Sequence, residues 1–382
     1  MISKILSPVL FLLITICLFL TSDFYISKHT DLFHVKKDCF KYLKHKHNNK
    51  DYYSYELEKN CFAFETKGRT GAYEVITNKN GHRIGKKKSE LKEEKDKILF
   101  LGDSFTYGFG VNYEDSISGL IDSKSNNQFD IINFGVPGYS QSMTLHKLKR
   151  YLNDSKNLKI KKVFYVLDLT DVHDESNRWI NVEGLNHPVI LDQSIEKEIK
   201  DNFEIKKKFR TSRFLSYVSN KILRNIRKDI KNLFLKREEI TANGPGTFWG
   251  RFTHTPQKQL YTDEQYKDLW PIKYNVGIKN IKLKLKEISE IISPYNAEFY
   301  ILIHPWRETL ELGQSEFSWE NFANEVCVFT ECTKVISLFD DIRGIKKINP
   351  YWKSEIYFNT DVHFNKKGNI IYANRIYLEA FN

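Results

Sequence analysis

Short apolar runs that alternate with stretches of helical period, and a Gly-Asp-Ser turn set directly after the first of them, predict an α/β fold of three layers, α/β/α. The runs cover residues 97–101, 130–134, 160–168, 298–303 and a shorter one near 334–338. Between and after them, helical patterns cover about 114–124, 140–153, 275–292 and the stretch beyond Gly368. A buried strand that stops at Gly102-Asp103-Ser104-Phe105 places a serine hydroxyl at the mouth of a sheet, where open α/β folds gather their ligands.

Taken in order, residues 1–22 form the first segment. The stretch from Ile5 to Ser22 carries no charge and is bounded by Lys4 and Asp23. It is short for a membrane span, which needs roughly 17–25 residues, and long for a signal-peptide core of roughly 7–15. No small-x-small cleavage site follows, and Cys17 is preceded by Ile16 rather than a small residue, so an uncleaved signal anchor is expected. Lys28, Lys36 and Lys37 beyond it outnumber Lys4, so the positive-inside rule assigns no orientation. Residues 23–95 read as a polar extension rich in Lys and Tyr, with a strand at Tyr73-Glu74-Val75-Ile76-Thr77-Asn78 before the turn at Asn80-Gly81. Residues 86–96 are a charged linker, and 96–382 form one large domain, interrupted by an insertion over about 174–272.

The net charge of +11 is concentrated in the insertion. Residues 206–237 hold twelve Lys or Arg and a single acid, Asp229, while Phe214, Val218, Ile222, Ile226, Ile230 and Leu233 recur at helical spacing. Such a basic amphipathic helix suits an anionic membrane surface or a polyanionic glycan, or packs on its domain with a solvated basic face. Nucleic acid as a partner is contradicted by the export signal. Besides Cys17, the cysteines are Cys39, Cys61, Cys327 and Cys332. An even number suits two disulfides in an oxidising compartment, with three pairings open and free thiols as the alternative; no Cys-x-x-Cys pair points to zinc. The domain is therefore expected on the periplasmic or extracellular side, tethered to the membrane through residues 5–22 and possessing no metal or cofactor.

A serine hydroxyl becomes a nucleophile only with an imidazole in hydrogen-bond reach and a group to orient that imidazole. Asp361-Val362-His363, just before the final helical stretch, supplies both. With Gly-Asp-Ser early and Asp-x-His late, the chain resembles the SGNH or GDSL family of serine hydrolases and acyltransferases. That resemblance implies a flavodoxin-like parallel sheet and a triad of Ser104, His363 and Asp361. It also places a second block at Asp130–Ser140, where the backbone N–H of Gly138 would join that of Ser104 in an oxyanion hole. In the third block the sequence departs from the family. Thr170, in Asp168-Leu169-Thr170-Asp171, stands where an Asn would give the third donor, so its hydroxyl is the candidate replacement. The acids of Asp168–Glu175 lack the alternating oxygen ligands and turn glycine of a hard-cation loop, and Thr170, Asp171 and Asp174 are expected to cap a helix start. His304, at a strand end and followed by Pro305-Trp306, competes with His363 for the base but has no Asp-x-His carboxylate. Trp306 either stacks on a sugar or belongs to the core.

The resemblance implies a serine esterase or O-acyltransferase acting on ester groups, O-acetyl groups of a cell-surface polysaccharide in particular. The rival expectation, prompted by the absent Asn, is an inactive glycan-binding protein of the cell envelope.

Overall fold

The computed structural model describes residues 14–15, 17–19, 21–22, 38–65, 72–86, 94–126, 128–155, 157–190, 254–258, 270–359 and 361–381. The chain divides into two compact units, residues 1–37 with 197–238 and residues 38–196 with 239–382. In the first unit the described residues between 14 and 22 are helical. Among all described residues no helix is long and apolar enough to cross a membrane. Much of the expected anchor and the whole of the expected basic helix 206–237 lie outside the described residues.

The second unit carries the strands, in chain order β1 (Phe40–His47), β2 (Lys50–Leu57), β3 (Phe62–Glu65), β4 (Tyr73–Thr77), β5 (Arg83–Ile84), β6 (Lys97–Leu101), β7 (Asp130–Asn133), β8 (Ile160–Leu167), β9 (Trp179–Ile180), β10 (Val189–Ile190), β11 (Glu298–Ile303) and β12 (Lys334–Ser337). Eight of them form one sheet in the order β12-β11-β8-β6-β7-β5-β4-β3. From β12 to β7 the pairing is parallel. β6, β7, β8 and β11 are buried on both faces along nearly their whole length, which is why they read as apolar runs, whereas the edge strand β12 is buried only at Ile336. β6 comes first in the chain, pairs with the second strand β7 on one side and the third, β8, on the other, and so gives the 2-1-3-4-5 order of flavodoxin-like sheets.

The expected purely parallel sheet needs correction. β3, β4 and β5 continue it antiparallel beyond β7, so part of the extension belongs to the main sheet. The outer edge of β7 otherwise presents unpaired backbone groups, and β5 covers it at Arg83–Asn133.

Helices connect the parallel strands and follow the last of them. Helix Ile117–Lys124 packs with the final helix Lys366–Ala380, while Gln141–Asp154, Trp270–Ile292 and Trp319–Thr330 pack as neighbours. β1 and β2 form a separate antiparallel hairpin. A disulfide between Cys39 and Cys61 joins its foot to the start of β3, and a second links Cys327 to Cys332 at the end of helix Trp319–Thr330.

Candidate active site

The strand order reverses between β6 and β8, the topological switch point outside whose carboxyl ends open α/β sheets bind their ligands. Ser104 sits there, first residue of a single helical turn, Ser104–Tyr107. Gly102 has φ +140°, and a Cβ on it would lie 2.5 Å from Thr106 Oγ1 and 2.9 Å from the Val166 carbonyl, so only glycine makes this turn. Asp103 caps the turn by accepting the Phe105 N–H at 2.9 Å.

The structure brings His363 and Asp361 to this serine. His363 Nε2 lies 2.7 Å from Ser104 Oγ, and the Asp361 carboxylate bonds Nδ1. With Nδ1–H donating to the carboxylate, Nε2 is left as the acceptor for the serine proton. The His363 N–H donates to Asp361 Oδ1 at 3.1 Å, and the Phe358 N–H donates to the His363 carbonyl at 3.0 Å, which locks the loop. Arg307 holds the same loop through the Asn359 carbonyl at 3.2 Å, and Asn365 caps the helix that follows. Burial disfavours the imidazolium, but the hydrogen bond and charge of Asp361 outweigh it, and the His363 pKa ends above its ordinary value. For Asp361 the same contact overcomes burial and keeps its carboxyl below the usual range.

Two phenylalanines grip the imidazole. The rings of Phe105 and Phe109 each lie 4.7 Å from that of His363, centroid to centroid. Phe109 is held in turn by buried Arg83, whose guanidinium donates to the carbonyls of Tyr107, Gly108 and Val111 at 2.6, 2.7 and 2.6 Å. Tyr73 and Tyr107 flank that guanidinium, and both hydroxyls donate to buried Glu65. Neither Phe109 nor Arg83 is singled out by the sequence. Phe109 has a signal, one helical turn beyond Phe105; Arg83 has none, because its partners are carbonyls distant in the chain.

Gly138 lies in the loop after β7, and that loop touches the serine turn through Val136 N–H to the Gly102 carbonyl at 3.4 Å. Its φ is +75°, and its carbonyl accepts from Trp179 Nε1 at 2.9 Å.

Thr170 does not fit its expected part. Its hydroxyl donates to Asp168 Oδ2 at 2.5 Å and its N–H to the same oxygen at 2.9 Å, so the proton needed for an oxyanion is already committed. Asp168 also accepts from Trp306 Nε1 at 3.0 Å, which makes Trp306 a buried structural donor rather than a sugar platform. His304 is fully buried, and its Nε2 lies 3.4 Å from Asp168 Oδ1, a long contact in which neither ring nitrogen makes an ordinary hydrogen bond. Its ring packs 3.9 Å from Phe105, so it supports the site from beneath and does not reach the serine. Burial drives the pKa of His304 down against the pull of Asp168.

The other acids are spent internally. Asp171 accepts from Gln141 Nε2 at 2.6 Å and from the Asp168 N–H at 3.1 Å, while Glu175 accepts from Ser140 and twice from Ser142. Asp171 to His173 form a short helical turn that runs on as a π-helical turn, Asp174–Arg178. Among the described residues no group of three or more His, Cys, Asp or Glu side chains is arranged to hold a metal ion.

A nucleophile, a base and an orienting carboxylate in sequence of contact are the parts of acyl transfer. No protein-family model and no curated protein matches the sequence. Solved structures similar in fold include LAE5, an α/β hydrolase enzyme from the metagenome of Lake Arreo, at 11% identity and a TM-score of 0.37 over 74% of this chain and 94% of that one. The psychrotrophic esterase EstA from Pseudoalteromonas sp. matches at 12% identity and 0.37 over 74% and 95%. Axe2, an acetylxylan esterase from Geobacillus stearothermophilus, matches at 12% identity and 0.36 over 76% and 96%. At such values no residue's role follows from the likeness.

Proposed function

We propose that the chain is a serine esterase or O-acyltransferase of the SGNH type that works through an acyl-enzyme. The observation that carries this reading is the 2.7 Å contact from Ser104 Oγ to His363 Nε2, with Asp361 on the opposite nitrogen. Ser104 Oγ attacks the ester carbonyl as its proton passes to Nε2. The carbonyl oxygen becomes an oxyanion, received by the backbone N–H groups of Ser104 and Gly138. As the tetrahedral intermediate collapses, the imidazolium returns its proton to the leaving alkoxide. Water or an acceptor hydroxyl then repeats the sequence on the acyl-enzyme, and only that second nucleophile separates hydrolase from transferase.

The substrate we infer is an O-acetylated cell-surface polysaccharide, reached by a domain on the periplasmic or extracellular side and tethered through residues 5–22. Segment 206–237 would meet an anionic membrane surface or a polyanionic glycan. The two disulfides support the oxidising compartment. A second reading, an inactive glycan-binding protein, is favoured by one observation, the commitment of the Thr170 hydroxyl to Asp168.

Labelling with a fluorophosphonate probe and mapping the adduct separates the two. A single adduct on Ser104, absent from Ser104→Ala, is the expected outcome. No adduct, or an adduct elsewhere, would overturn the catalytic reading.

A further inference from the structure

The peptide group between Pro137 and Gly138 carries the N–H assigned above to the oxyanion, and the opposite end of that group is held from outside the parallel sheet. Tyr55, on β2 of the separate hairpin, donates its hydroxyl to the Pro137 carbonyl at 2.8 Å. The tie is reciprocal, because Tyr139 donates its own hydroxyl to the Tyr55 carbonyl at 2.6 Å. The Tyr55 ring is buried and packs against Tyr139 at 5.7 Å and Trp179 at 5.4 Å. Trp179 in turn bonds the Gly138 carbonyl.

In a planar trans peptide the C=O and the N–H point in opposite directions, and the chain has no cis bonds among the described residues. A donor that fixes the Pro137 carbonyl therefore also fixes the direction of the Gly138 N–H. Hydrogen bonds in a chain polarise one another, so a peptide whose oxygen already accepts is a stronger donor at its nitrogen. The glycine is required for the same reason. A Cβ at 138 would lie 2.6 Å from the Tyr55 hydroxyl and 2.5 Å from Arg178, so any side chain there displaces the group that orients the peptide.

We propose that Tyr55 is a positioning residue of the active site: its hydroxyl, seated on the Pro137 carbonyl, aims and polarises the Gly138 N–H as an oxyanion donor. This rests on the acyl-enzyme reading. Such a group acts on the transition state and not on the bound ester, so its loss lowers kcat and leaves KM unchanged.

The test is Tyr55→Phe in the full chain, which removes one oxygen and keeps the ring contacts. Acetyl ester hydrolysis and fluorophosphonate labelling are measured beside thermal unfolding, with Tyr42→Phe as a control on the same hairpin. Complete loss of an oxyanion donor costs about 10²–10³ in rate, and mis-aiming one is expected to cost about tenfold. The expected result is a fall of that size in kcat and in labelling rate, with KM unchanged and Tyr42→Phe equal to wild type. Wild-type rates in Tyr55→Phe, an effect on KM alone, or a loss that only follows unfolding overturns the proposal while the acyl-enzyme reading stands. Failure of the wild-type chain to label at Ser104 removes both.

Discussion

The Ser104 hydroxyl has one proton and two acceptors in reach, His363 Nε2 at 2.7 Å and Asp103 Oδ2 at 3.1 Å. Burial, helped by the charge of Asp168, pushes the Asp103 carboxyl up to about 7. Asp103 is therefore a full rival for the proton only on the alkaline side, whereas His363 is a base only once it has lost its own. Because Asp361 raises the His363 pKa, the acylation rate is expected to climb with pH through a midpoint above the ordinary histidine value of about 6.5. Asp361→Asn removes the charge that favours imidazolium, so the midpoint moves to lower pH. It also leaves the imidazole in the wrong tautomer, and the plateau falls on the order of 10⁴-fold. A pH series of labelling rates on both proteins checks this; an unmoved midpoint would contradict the assigned role. Ser104, Asp361 and His363 were legible because each lies in a short motif whose chemistry needs those side chains. The fate of Thr170 was not, because nothing in Asp168-Leu169-Thr170 says which way a hydroxyl turns.

Among elements, the hairpin β1–β2 shows how a strand pair hides in a sequence. Lys and His fill five of the eight positions of Phe40–His47, four of them in a row at Lys44-His45-Lys46-His47, so a half-buried strand reads as a polar extension. The turn at Asn48-Asn49 has both residues at positive φ, 48° and 61°, the type I′ signature of a two-residue hairpin, and was the available clue. The central parallel strands were easier, since burial on both faces leaves apolar runs. Cysteine number gave two bridges without a pairing, because pairing depends on which chain segments meet. The Cys39–Cys61 bridge closes a separation of 22 residues and the Cys327–Cys332 bridge one of 5. Loop-closure entropy assigns about 3 kcal/mol to the first and about 2 kcal/mol to the second. Cys39→Ser is thus expected to lower the urea midpoint more than Cys327→Ser; the reverse order would show that the hairpin is held chiefly by its side chains.

At the scale of the whole molecule, the apolar runs located the parallel strands, and their flavodoxin-like arrangement was implied by the family resemblance. The antiparallel edge was not legible, because β5 is two residues long and joins β7 through the single pair Arg83–Asn133. That edge makes a truncation test specific. A chain beginning at Asp38 keeps β3, β4 and β5 and is expected to unfold in one cooperative transition. A chain beginning at Asp96 exposes the edge of β7, loses Arg83 from beneath the Phe109 loop, and is expected to be insoluble or to melt without a sharp transition. Calorimetry of the two decides, and an equally sharp melt of the shorter chain would reduce the edge strands to ornament. The Cys39–Cys61 bridge, finally, ties the hairpin that carries Tyr55 to the thiol chemistry of its surroundings. Without it the foot of the hairpin would lose its covalent tie to β3, and Tyr55 would rest on hydrogen bonds and ring contacts alone. Reduction of that bridge is therefore expected to slow labelling at Ser104 by no more than Tyr55→Phe does.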